Sequence, residues 1–561
     1  MNIPELKWRF TPSVTELFCL FGGSFLVFWY AWIIEDAYVY FRYIDNLVLH
    51  GQGLVWNSGE YVEGFSSPIW ALLLGGLRVL HLNYWIAVLT IGLFCFVVFW
   101  WMGCLVNRGF ISSIDGSCRS LNIPLVYLCF TYAVSCYFTS GLESPLVNVV
   151  AVGYAAAALW PHSIFLQVLV GLSPLLRHEL VIPYLLFIAY SIFVRKCRPY
   201  TAIVSFLLSI GGYGLFRIWY YADLFPNTFY LKDSTWINQG LKYVYDTIMP
   251  YQTILYMLFM FLAWTALKKT QCKGLLTRER LVMLVLALPI AAYVVKIGGD
   301  PRHFRYLAFP FILVVLATGG IAEKFALHFT KCKERLLVLL VGIFGIAVFS
   351  NFPRQLQLHP LFRTQYYTHT EFLRINDASY HRFHKAQITP SWRSGCHFLS
   401  YAESKKRYAV EFTSKSITDF SPLGEVLMKT SSAGEKAYAG LPLIADLWCQ
   451  NAYLHAALPV IQNLGLTEPF LARIQMRSNR PAHKFGLIPF AEDILHIRSE
   501  YGFVRGAFDV AISEDTKTPV WIVKNIDTIR KIERKVYNEH NFFENIKLAF
   551  LPIEKIIPES R

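Results

Sequence analysis

Residues 35–68 read EDAYVYFRYIDNLVLHGQGLVWNSGEYVEGFSSP, and they follow an apolar run at 15–34 long enough to cross a bilayer. Glu35 and Asp36 stand where that run ends. Tyr38, Phe41, Ile44 and Val48 then recur at helical spacing, with Arg42 and Asp45 off that apolar side. The pattern predicts an amphipathic helix lying on the membrane surface. Gly51, Gly53, Asn57 and Gly59 supply turns after it. An acidic pair at the edge of a bilayer is costly to place, which makes it a candidate functional feature. The same pair also fits the plain end of a span at the water interface.

The rest of the chain supports a membrane protein. Of its 561 residues 55% are hydrophobic, more than a soluble protein of this size carries. Apolar runs at roughly 15–34, 67–82, 84–106, 121–138, 146–160, 163–194, 200–221, 250–267, 281–297, 304–322 and 335–351 alternate with short polar loops. They predict a polytopic α-helical membrane protein of about 10–12 spans, the first an uncleaved span. The net charge of +14 falls largely in short loops, where Lys and Arg mark the cytoplasmic side. Nucleic-acid binding is set aside for the same reason, since no aromatic platform or zinc spacing accompanies the charge. The 11 cysteines lie mostly in apolar runs without CxxC spacing, so no structural metal is expected; Cys396 and Cys449 fall near the end of the chain and either pair or stay free.

Basic loops at 195–198, 268–280 and 324–335 are expected in the cytoplasm, so those at 35–66, 222–249 and 298–303 face outward. Before residue 195 the alternation fails. If 67–82 and 84–106 both span, the basic 108–119 loop lies outside, and Arg177-His178-Glu179 breaks the run at 163–194 into either one interrupted span or two. Residues 1–351 therefore form a transmembrane domain. Residues 352–561, with no run long enough to span, are expected to form an extracytoplasmic α/β domain with a strand at 520–523 and a helix over 524–548. The charges of the last 40 residues fit a solvated helical face.

Outward loops gather carboxylates, cations and aromatics on one side: Glu35, Asp36, Arg42, Asn57 and Glu63 in the first; Asp223, Asn227, Tyr230 and Lys232 in the second; Asp300, Arg302, His303 and Arg305 in the third. Carboxylates serve as general bases toward a hydroxyl, cations hold a phosphate, and aromatics stack on a sugar or pack a lipid tail. Together they suit transfer of a sugar from a lipid phosphate carrier. Each has a plainer reading too: Arg42 snorkelling to lipid phosphates, Asp223 to Asn227 forming a turn, Gly298 to Arg305 a tight turn, His178 and Glu179 satisfying each other. A transporter or flippase, or a non-catalytic scaffold for envelope assembly, are the rival classes. Two carboxylates could hold a divalent cation, but no cofactor is required.

The motifs, in order, resemble those of the GT-C-type bacterial membrane glycosyltransferases, in particular the mycobacterial arabinofuranosyltransferases that use a polyprenyl-phosphate arabinose donor and their Gram-negative relatives. Glu35-Asp36-Ala37-Tyr38, Phe41-Arg42-Tyr43, Asn46-Leu47, Gly51, Gly53 to Asn57, Gly59-Glu60 and Val62 to Phe65 match one long pattern. Ser140 to Glu143, Tyr220 to Lys232, Gly298-Gly299-Asp300 with His303 and Arg305, Leu464 to Pro469 and Pro481 to Lys484 match shorter ones. Ala222 replaces a common Gly, Arg177-His178-Glu179 a common Arg-Pro-Glu, and Glu35 a common Asp. The resemblance implies a catalytic carboxylate in the pair Asp36 and Glu35. It further implies donor-phosphate contacts from Arg42, Lys232, Arg302, His303 and Arg305. Sugar or acceptor contacts would come from Asn57, Glu63, Asn227, Tyr230, Asp300, Glu143, His178 and Glu179. The implied partners are a polyprenyl-phosphate sugar donor, an envelope glycan, lipid or protein acceptor, and the lipids of the inner membrane.

Overall fold

A computed structural model describes residues 11–29, 31, 37–56, 61–112, 122–232, 237–248, 253–269, 277–299, 304–329, 443–445, 460–462 and 541–550. In chain order the helices are α1 Val14–Trp29, α2 Ala37–Val48, α3 Pro68–Val79, α4 Tyr84–Ser112, α5 Ile123–Cys129, α6 Tyr132–Cys136, α7 Ser144–Leu159 and α8 Ile164–Leu176. They continue with α9 Val181–Ala189, α10 Tyr200–Phe206, α11 Gly212–Tyr221, α12 Asn227–Lys232, α13 Ile237–Ile248, α14 Thr253–Lys269, α15 Arg278–Ile297, α16 Ala308–Phe329 and α17 Phe542–Phe550. One π turn, Tyr190–Val194, extends α9, and another, Leu207–Gly211, joins α10 to α11. Two three-residue strands, Leu443–Ala445 and Val460–Gln462, pair in parallel with Leu443 opposite Val460. The expected strand at 520–523 and most of 352–561 lie outside the described residues, while α17 falls at the end of the expected 524–548 helix.

Three described helices are long and apolar enough to cross a membrane: Ile86–Phe110 within α4, Tyr200–Tyr221 through α10 and α11, and Arg278–Ile297, which is α15. The chain packs as two units. One takes the described residues of Met1–Ala31, Val88–Ile210 and Thr235–Arg382; the other those of Trp32–Ala87, Gly211–Ser234 and Phe383–Arg561.

The first unit is a helical bundle with a polar network at one end. Ser13 and Glu16 cap α1 reciprocally, Ser13 N donating to Glu16 Oε2 (2.7 Å) and Glu16 N to Ser13 Oγ (3.3 Å). The fully buried Glu16 also accepts from Arg108 at the end of α4 and from Asn122 Nδ2 (3.2 Å) ahead of α5. Glu323, late in α16, accepts from Asn107 Nδ2 (2.6 Å) and Asn122 N (3.2 Å). Arg280, in the first turn of α15, lies over Phe110 and against Gly320 of α16. Its neighbour Glu279 pairs with Arg195, which also donates to Leu159 O (3.4 Å) at the end of α7.

These contacts answer both sequence ambiguities. Arg108 lies with Glu16 and Asn122, at the end where α15 begins and α16 finishes, and Arg195 comes to the same end through Glu279. The segment 67–82, expected to span, yields only the 12-residue α3, about 18 Å long against roughly 30 Å of hydrocarbon. The run at 163–194 is two legs: α8 leaves the network end, turns at Arg177, and α9 returns to Arg195. Pro174 inside α8 and the 3-10 turn His178–Leu180 make that turn possible.

Close helix approach fixes several glycines. A Cβ on Gly92 of α4 would stand 2.2 Å from the Phe138 carbonyl oxygen, a backbone atom that cannot step aside. One on Gly76 of α3 would meet nothing within 4 Å. Ala is worth about 1 kcal/mol more than Gly inside a helix. Gly76→Ala is therefore expected to hold or raise the thermal midpoint of the purified protein, and Gly92→Ala to lower it. A rise with Gly92→Ala would contradict this packing.

The second unit contains α2, and here the surface-helix expectation fails. Ala37, Val39 to Asn46 are all buried, Arg42 and Asp45 included. The following chain folds back over the polar side of α2 and satisfies it, so the helix is enclosed rather than amphipathic at a surface.

Candidate functional site

In the second unit, α2 is the template on which residues 53–56 and 61–67 are laid. Arg42 Nε donates to Trp56 O (2.7 Å), and its guanidinium carbon stands 5.1 Å from the centre of the Trp56 ring. Asn46 Nδ2 donates to Val55 O and Trp56 O, both at 2.9 Å. Tyr43 OH donates to Val62 O (2.7 Å) and accepts from Gly64 N (2.9 Å), and Tyr40 OH accepts from Ser67 N (3.1 Å). Asp45 Oδ1 accepts from Arg78 Nε (2.8 Å) and Tyr84 OH (2.7 Å). The long motif thus spells out a compact, internally hydrogen-bonded segment, with buried polar side chains meeting the backbone groups that a loop leaves unpaired.

Glu63 ties this segment to α11. Its carboxylate accepts from Tyr213 OH (2.9 Å) and forms a buried ion pair with Arg217. Arg217 also donates to Leu224 O (3.0 Å), and Glu63 O accepts from Asn227 N (2.9 Å). Leu54 is held on both sides, its N donating to Tyr220 OH (2.9 Å) and its O accepting from Tyr221 OH (2.8 Å). Ala222 ends α11 at φ 51°, in the left-handed region that favours glycine. That is the position where the resembled pattern has Gly.

In the first unit a second cluster forms at the end away from the Glu16 network. Glu143, just ahead of α7, has Arg305 Nη2 at 3.3 Å and Arg177 Nε at 3.9 Å from its Oε1. Arg177 Nη2 pairs with Glu179 Oε1 (2.7 Å), and the guanidinium carbons of Arg177 and Arg305 lie 4.1 and 5.5 Å from the Tyr306 ring centre. Burial pushes the Glu143 carboxyl up, but Arg305 and Arg177 outweigh it and hold it below its ordinary value. Among the described residues Glu143 Oε2 has no hydrogen-bond partner, nor has Ser144 Oγ or the side-chain amide of Asn148 one turn on. Gly298 and Gly299 end α15 at φ 89° and 84°, and a Cβ on Gly299 would collide with Tyr243. This accounts for the paired glycines of that motif.

Of the residues singled out from sequence, Glu143, Glu179 and Arg305 come together, with His178 in the adjoining 3-10 turn. Glu63 and Asn227 meet in the other unit, where Arg42 is also placed. Lys232 and Tyr230 belong to α12, with only their backbone described. Glu35, Asp36, Asn57, Asp300, Arg302 and His303 lie outside the described residues, as do Cys396, Cys449 and the motifs at 464–469 and 481–484. Asp36 is two positions before Tyr38 and directly precedes Ala37, the first residue of α2. Sequence reasoning passed over Arg217 and Tyr213, the partners of Glu63, and gave Arg177 no role. A lone cation inside the apolar run 200–221 was the available signal, since an ionisable residue there needs a partner.

No family model and no solved structure matches the chain. Two curated proteins are similar to it. One is the terminal beta-(1->2)-arabinofuranosyltransferase of Corynebacterium glutamicum, 27% identical over 397 residues, covering 61% of this chain and 55% of that protein. The other is the terminal beta-(1->2)-arabinofuranosyltransferase of Mycobacterium tuberculosis, 30% identical over 365 residues, covering 55% of each. The chain thus spans about half the length of the curated relatives it matches. These matches bear out the resemblance: the chain is similar to the GT-C-type arabinofuranosyltransferases of mycobacteria and corynebacteria.

Proposed function

We propose that the protein is a polytopic membrane glycosyltransferase that moves a sugar, D-arabinofuranose, from a polyprenyl-phosphate donor to an envelope glycan, lipid or protein acceptor on the outer face of the inner membrane. The observation that carries this reading is the 35–65 motif, whose described side chains at 40–46 hold the backbone of 55–56 and 62–67, together with the similarity of the chain to two named arabinofuranosyltransferases. The acceptor hydroxyl oxygen attacks the anomeric carbon, the bond from that carbon to the phosphate oxygen breaks, and the hydroxyl proton passes to Asp36. Polyprenyl phosphate leaves with the bonding pair, its charge stabilised by Arg305 with Lys232, Arg302 and His303. The open Oε2 of Glu143 beside Arg305 supports a role for that carboxylate in holding a sugar hydroxyl. Glu35, Asn57, Tyr230 and Asp300 complete the proposed site.

Residues 352–561 are proposed as a domain on the same outer side. A membrane-impermeant thiol reagent is expected to label a cysteine placed at Ser431 in intact or outer-membrane-permeabilised cells, and to leave one at Arg198 unlabelled until the inner membrane is lysed. The reverse pattern would invert the topology. The activity is tested by mass spectrometry of envelope glycans from cells lacking the protein. Loss of a defined sugar from one glycan is expected. Loss of the sugar from every glycan that carries it, with donor lipid accumulating on the cytoplasmic leaflet, would make the protein a transporter.

A further inference from the structure

The helix α17 stands apart from the proposed chemistry. Asn541 caps it, its Oδ1 accepting from Phe543 N (3.1 Å) and Glu544 N (3.4 Å). On one face Asn545 is buried against α11 and its Nδ2 donates to Trp219 O (2.8 Å). That carbonyl belongs to the last turn of α11, where the helix leaves its own C=O groups unpaired. A residue more than three hundred positions later thus caps the end of the Tyr200–Tyr221 helix.

The opposite face carries Phe543, Lys547 and Phe550, at i, i+4 and i+7, on one narrow stripe. Phe543 is 75% and Phe550 64% exposed, and the Lys547 side chain is 67% exposed beside Glu544. A solvated helical face, expected from the charges of this region, would not place two phenylalanines there. A protein-binding stripe would not centre on lysine, which such interfaces deplete. Two aromatic rings flanking a lysine do match the boundary of a bilayer, where rings sit at headgroup depth and the ammonium reaches lipid phosphate. The support of α17 gives the same level: α11 ends a candidate span, with Leu215 57% exposed along it and Trp219 42% exposed at its last turn.

We propose that α17 is an interfacial anchor that seats Phe543, Lys547 and Phe550 in the headgroup layer of the bilayer where it packs against α11. The proposal rests on the membrane reading of residues 200–221.

The test uses the full chain in liposomes of phosphatidylethanolamine and phosphatidylglycerol, with the photocrosslinker p-benzoylphenylalanine placed singly at Phe543, Phe550 or Leu215. After irradiation, peptide masses report what each position touched. Phospholipid adducts at all three positions are expected. Adducts at Leu215 alone would overturn the anchor and leave the span intact; adducts at none would overturn both. Crosslinks from Phe543 or Phe550 to a second copy, or to another part of this chain, would make the stripe a protein interface and overturn the proposal as well.

Discussion

Asp36→Asn is expected to leave the protein folded and inserted while cutting sugar transfer by at least about a hundredfold, the lower range for losing a general base. The amide has nearly the shape of the carboxylate but cannot take up the acceptor's proton. The scaffold should not feel the change. Among the described residues, the contacts that organise 37–56 and 61–67 are made by other side chains: Arg42 and Asn46 to Val55 and Trp56, Tyr43 to Val62 and Gly64, Tyr40 to Ser67. Thermal midpoint and chromatographic behaviour should therefore match the parent. Glu35→Gln is the companion measurement, since it removes the other acid of the pair. Near-parental turnover by Asp36→Asn, with a collapse in Glu35→Gln, would move the base to Glu35.

The second large effect concerns Glu63 and Arg217. Removing the carboxylate alone, in Glu63→Ala, leaves a buried guanidinium without its counter-charge and Tyr213 OH without its acceptor. Breaking one side of a buried pair costs about 3–5 kcal/mol. Replacing both partners by apolar groups costs far less, because no charge is left stranded. Glu63→Ala should thus lower the thermal midpoint sharply, and the double change Glu63→Leu with Arg217→Met should recover much of the loss. Activity then separates the two roles open to Glu63. If it only fastens the motif segment to α11 and Asn227, the recovered double variant turns over. If its carboxylate also holds sugar, the double variant is stable and inactive.

Much of the fold was legible from periodicity and charge. The runs at 84–106, 146–160, 200–221, 281–297 and 304–322 coincide with helices α4, α7, α10 to α11, α15 and α16. What escaped depends on contacts between distant residues. The polar side of α2 looked solvent-facing because its partners, Trp56, Arg78 and Tyr84, stand 14 to 39 positions away. The segment 67–82 has the composition of a span but only a 12-residue helix, and hydropathy carries no record of where a helix stops. The double leg at 163–194 was open on sequence because Arg177 looked equally at home in a broken span or a turn. Its pairing with Glu143 and Glu179 decides the matter, and those partners come from opposite directions along the chain. The candidate site was legible where a motif is long and local, as at 35–65. Arg217 and Tyr213 were not, since nothing in an apolar run announces which carboxylate an arginine will meet.

The central claim is transfer from a lipid-linked donor, and it is tested most directly with purified protein in liposomes, a polyprenyl-phosphate arabinofuranose carrying labelled sugar, and an arabinan oligosaccharide acceptor. Label is predicted to appear on the oligosaccharide with an equal amount of polyprenyl phosphate released, and to fall with Asp36→Asn. Donor that crosses the bilayer with its sugar still attached, while the oligosaccharide stays unlabelled, would contradict it.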